Sequence, residues 1–112
     1  MPLHLASVVA LGHTVIATGT IAERRFVTFA GSQAGLDGIV LGVSRAGGIA
    51  GDAVPLTLVG VIDMVAGADI TLGADLVSDA NGLPVPKGGN TNVAAKALSA
   101  ALAGQRVPVL IR

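Results

Sequence analysis

Apolar and polar positions trade places along this chain at the short intervals of strands. His13–Ala17 places Val15 and Ala17 on one side, and Arg25–Ala30 sets Phe26, Thr28 and Ala30 against Arg25, Val27 and Phe29. Further strands are predicted over Ile39–Ser44, Pro55–Val65, Leu72–Val77 and Val107–Ile111. Pro55–Val65 is the longest, with Gly60 marking a bulge or a close backbone approach. Leu83–Pro86 fits only an edge strand, because Pro84 and Pro86 cannot donate to a ladder. One stretch carries a different period. In Asn92–Ala103, Val93, Ala97, Leu98 and Ala101 or Leu102 fall on one helical stripe, with Asn90, Thr91 or Asn92 as caps and Gly104 as terminator.

A short phrase separates these elements: a small residue, glycine, one or two small or polar residues, then an aliphatic run. It occurs at Ala50-Gly51-Asp52, Ala66-Gly67-Ala68-Asp69, Leu72-Gly73-Ala74-Asp75 and Ala103-Gly104-Gln105. Glycine supplies positive φ and Asp bonds its own backbone, so each copy predicts a turn feeding a strand. Asp79-Ala80-Asn81-Gly82 between aliphatic runs predicts a hairpin. The expected fold class is all-β with one short helix, a small barrel or sandwich. Residues 13–112 are read as one domain, and 1–12 as an apolar N-terminal arm that is either a first strand or a reach toward a neighbour.

Composition sharpens this picture. The chain has 112 residues, 52% of them hydrophobic but only 2% aromatic, with 19 alanines and 16 glycines. Its core must be thin, so apolar surface is expected to remain for partners. Seven basic residues balance seven acidic ones, and Tyr and Trp are absent, which argues against nucleic acid as a partner. Without cysteine there is no disulfide or thiolate metal site. The apolar run Val54–Ala68 is too short and too interrupted to cross a membrane. Leu3–Leu11 lacks the basic residues of a signal peptide.

The search for chemistry returns little. His4 and His13 suit strand-edge positions better than a metal pair or a base for Ser7. Asp69, Asp75 and Asp79 match no calcium loop and sit where turns want Asp. Asp63 interrupts an aliphatic run and either faces water or pairs with an arginine across an interface. Glu23-Arg24-Arg25 is the one charge cluster, either a solvated turn or an anchor for acidic groups. No phosphate loop, metalloprotease or nucleophile motif occurs, so neither catalytic residues nor a cofactor are expected.

The order of features from Val15 to Ile111 resembles the small capsid cement, or head decoration, proteins of tailed phages. The resemblance rests on Phe26–Phe29, Ile39–Ser44, Ala50-Gly51-Asp52, Val59-Gly60-Val61, Gly67–Gly73, Asp79–Gly82, Ala97–Gly104 and Val107–Ile111, taken in sequence. It implies a non-enzymatic virion protein on the outer surface of the head, found in host cytoplasm during assembly. The implied partners are the major capsid protein and further copies of itself, a trimer rather than a dimer. The expected contacts are Leu3, Leu5 and Val8 of the arm, Arg24 and Arg25, and one of Phe26 or Phe29, the other belonging to the core. The alternatives are a small β-barrel ligand-binding or accessory module and a phage tail or baseplate subunit.

Overall fold

A computed structural model describes residues 7–111, the side chains of Ser7 and Val8 excepted. Eight antiparallel strands form one sheet: β1 (Ser7–Ile16), β2 (Phe26–Thr28), β3 (Val40–Ser44), β4 (Ala53–Val65), β5 (Asp75–Ser78), β6 (Pro84–Pro86), β7 (Ala95–Ala97) and β8 (Arg106–Ile111). The order is β2-β3-β4-β8-β7-β5-β6, with β1 added on β4. The two ends of this order meet and nearly close a barrel. Phe26 N–H donates to Gly82 O at 2.8 Å, and Asp37 N–H donates to Ser78 O at 2.9 Å. Gly82 has φ +77°, and a Cβ there would stand 3.3 Å from Phe26 O. The closure therefore favours glycine for its positive φ, and a Cβ would fit there only tightly.

β4 organises the sheet. It pairs with β1 along Ala53–Ile62, with β3 at Leu56–Thr57 and with β8 along Gly60–Val65. An edge holds one partner per residue, so β3 and β8 share the edge opposite β1. Gly60 lies between Val9 and Ile111, and the β1 register slips just past Val9, so the extra residue is Ala10 of β1 and the bulge falls on the strand opposite Gly60. Alternation along β4 sends Val54 and Leu56 into a small cluster with Ala17, Ile21 and Val27. Ile62 and Met64 enter a larger cluster with Phe26, Leu76, Val107, Val109 and Ile111.

The turn phrases behave as turns. Gly51, Gly73 and Gly104 adopt φ of +92°, +79° and +86°. Gly67 does not, and there glycine serves space instead: a Cβ would meet Asp79 Oδ2 at 2.6 Å. The hairpin across Asn81-Gly82 joins β5 and β6, and the proline-bearing β6 ends the strand order.

The expected helix over Asn92–Ala103 is absent; among the described residues there is no helix. Ala95–Ala97 instead forms β7, bridging β5 and β8 through Asp75↔Lys96 and Lys96↔Leu110. A twelve-residue helix is marginal on its own. As a helix this segment would leave the facing ladder groups of β5 and β8 unpaired, which is costly in the interior. The small Ala95 and Ala97 are buried at strand period, while Val93, Leu98 and Leu102 of the supposed stripe are exposed. Gly104 is a turn residue and caps no helix.

Candidate interaction surface

The Glu23-Arg24-Arg25 segment is a rigid turn set by one buried serine. Ser44 is fully buried at the end of β3. Its Oγ donates to Ala22 O at 2.6 Å and accepts from Arg25 N–H at 3.1 Å. Its carbonyl accepts from Arg24 N–H at 2.7 Å, and its own N–H donates to Arg25 O at 2.9 Å. Arg24 sits at φ +57°, uncommon for a residue with a side chain. Arg24 Nη1 donates to Asp63 O on β4 at 3.2 Å, and Arg25 Nη1 donates to Asn81 O at 2.8 Å. The first of these bonds is to the Asp63 backbone carbonyl and leaves the expectation for its carboxylate, water or an arginine across an interface, untouched.

Tertiary structure adds two arginines that lie far away in sequence. A cavity of about 400 Å³ is lined by Arg24, Arg45, Ala46, Pro55 and Ile62. A second, of about 250 Å³, lies among Arg24, Arg25, Arg106, Glu23, Val65 and Leu83. Arg24 belongs to both. Arg45 follows β3 and Arg106 opens β8, so no local motif joins them to Arg24.

Twelve large apolar side chains are exposed among the described residues. Leu11 and Val9 lie on β1. Ile16, Phe29 and Ile49 sit on segments tied together by Thr18 N–H to Gly31 O, Ala17 N–H to Asp52 O and Gly51 N–H to Ala17 O. Leu72, Leu98 and Leu102 flank the Ile70↔Ala101 bridge. Alternation had assigned Phe26 and Phe29 to opposite faces, and the structure shows which is which. Phe26 is fully buried, so as a candidate contact it is corrected to a core residue. Phe29 is 67% exposed. Leu3 and Leu5 lie outside the described residues, as does His4. Val8 is paired with Val61 in β1, and that strand runs unbroken across the 12/13 boundary.

The aspartates considered as ligands have backbone or lysine partners. Asp79 Oδ1 accepts from Asn81 N–H at 2.7 Å and Leu83 N–H at 2.9 Å. Asp69 Oδ1 accepts from Ala103 N–H at 3.0 Å, joining two of the recurrent turns. Asp75 forms a 2.7 Å ion pair with Lys96. No group of three or more His, Asp or Glu side chains suited to a metal gathers among the described residues.

The profile of a family described as phage cement protein matches residues 8–112. Among solved structures, the chain is similar to the N base of the head fiber protein gp8.5 of bacteriophage phi29. The TM-score is 0.73 at 22% identity, over 91% of this chain and 93% of that one. This likeness concerns the fold. No curated protein matches.

Proposed function

The chain belongs to the phage cement protein family, and from that premise we propose that it binds the outer surface of a tailed-phage head and braces neighbouring major capsid subunits. The family match across residues 8–112 carries this reading. The exposed Ile16, Phe29 and Ile49, carried on segments bonded to one another, support it, since neighbouring exposed apolar side chains suit a partner site. The role is structural and not enzymatic. The mechanism is linkage: a protein that binds the assembled shell and not its free subunits stabilises the shell by mass action, and many copies on a closed lattice add avidity. The contacts are the arm with Leu3, Leu5 and Val8, the arginines Arg24 and Arg25, and Phe29. Copies associate as a homo-oligomer, a trimer in preference to a dimer.

The test is sedimentation of heads built from the major capsid protein of the same phage, mixed with the purified chain. Saturable co-sedimentation and a raised melting temperature of the heads are expected. Heads that stay bare at every concentration would sink the proposal. Truncation of Met1–Ala6 spares β1 and is expected to lower head occupancy without changing the fold; full occupancy removes Leu3 and Leu5 from the contact.

A further inference from the structure

We propose that Arg24, Arg25, Arg45 and Arg106 form one cleft that takes an acidic segment of a partner protein, a stretch carrying neighbouring Asp or Glu side chains. Identifying that partner as a capsid subunit rests on the function proposed above.

The two cavities at this end share Arg24, so a segment entering both would straddle its side chain. Among the described residues no carboxylate forms an ion pair with any of the four guanidinium groups. The one ion pair among the described residues, Lys96–Asp75, lies elsewhere. Glu23 is the only acid lining either cavity, and Arg24 is held by a backbone carbonyl. The side chains of Arg45 and Arg106 bond to no described group, which leaves their planar forks for an outside acceptor. Guanidinium meets a carboxylate with two parallel hydrogen bonds, a geometry lysine cannot offer.

Charge is also segregated. The chain is neutral overall, yet four of its seven basic residues line these cavities. Asp37, Asp52, Asp69, Asp75 and Asp79 are engaged at other turns and strands, while Glu23 lines one cavity and Asp63 stands beside Arg24, so four arginines face two acids there. The cleft is therefore a positive end on a neutral body, suited to steering an acidic partner. Arg24 is kept in the left-handed region by Ser44 and Asp63. Backbone strain held by surrounding bonds is a mark of functional positions.

The walls favour peptide over nucleic acid. Pro55 and Ile62 line one cavity, and Val65 and Leu83 the other, so apolar surface lies between the charges. A peptide places aliphatic and acidic side chains in such a pattern. A phosphate backbone wants a continuous basic stripe and stacking aromatics, and the chain has no Tyr or Trp.

The decisive probe is a hexaglutamate peptide titrated into the purified chain by calorimetry at low salt. Saturable binding that weakens as salt rises is expected. The double variant Arg45→Glu/Arg106→Glu is expected to lose affinity by about tenfold or more, as for reversed charges at a complementary site. Arg45→Gln/Arg106→Gln is expected to show a smaller loss in the same direction, and a thermal melt checks that both variants fold. Unchanged hexaglutamate affinity in the double variant overturns the cleft, whatever the heads show. A deoxythymidine oligonucleotide of equal charge that binds as tightly as the peptide overturns the choice of an acidic protein segment. Heads left bare by the wild-type chain overturn the capsid reading, and the peptide titration still decides the cleft.

Discussion

β1 and β8 pair with opposite edges of β4, and among the described side chains β8 buries three residues in the core where β1 packs only Val15 against it. Gly60, Val61 and Ile62 pair with Val9, Val8 and Ser7 on one side and with Ile111, Leu110 and Val109 on the other. In β8 the alternation is complete: Val107, Val109 and Ile111 are buried. In β1 every residue from Val9 to His13 is exposed although the strand is rich in Val and Leu. Pairing and burial are thus separate contributions. β8 receives both, while β1 receives mainly the ladder, whose hydrogen bonds are each worth about 1 kcal/mol net. β1 pairs with β4 alone, so its outer edge is open among the described residues. An apolar edge strand of ten residues is the kind of surface natural proteins cover or blunt. Its composition makes sense once a partner surface is assigned to it.

The sharpest way to break the comparison is truncation on the buried side. Ile111→Ala in β8 is expected to cost about 2–5 kcal/mol by urea unfolding, the range for aliphatic truncation in a core. A cost below 1 kcal/mol would mean that β8 is not the load-carrying neighbour of β4. Next in size is Ser44→Ala. It strands Ala22 O and Arg25 N–H in a half-buried turn and is expected to cost about 0.5–1.5 kcal/mol. Hexaglutamate affinity should fall with it, because the serine sets the arginine turn; an unchanged affinity would separate turn geometry from binding. The smallest effect is expected on the exposed side. Leu11→Ala should leave stability within about 0.5 kcal/mol, as for surface positions, and lower head occupancy. A large loss of stability would show that β1 is packed after all.

Legibility in the sequence followed the reach of local rules. β4 and β8 were visible because strong alternation and long apolar runs need no tertiary context. The hairpin at Asn81-Gly82 was visible because turn chemistry is carried by the turn residues themselves. Asn92–Ala103 was misread because an alanine-rich segment satisfies the helical stripe as readily as two small inward strand positions. Its state is decided by β5 and β8, which supply the ladder. Half of the arginine cleft was legible as Arg24-Arg25. Arg45 and Arg106 carry no sequence signal, since only the pairing of β3, β4 and β8 brings them to the same end.

By itself, then, the sequence determined that this is an aliphatic β-domain with glycine turns, few candidate catalytic groups and more apolar surface than a thin core can hold. Those are properties of composition and of short-range backbone chemistry. The tertiary structure decided which of two phenylalanines is core, which alanine run is a strand, and which four arginines share a cleft. Each of these depends on residues far apart in the chain meeting across the barrel, and no local pattern encodes such a meeting.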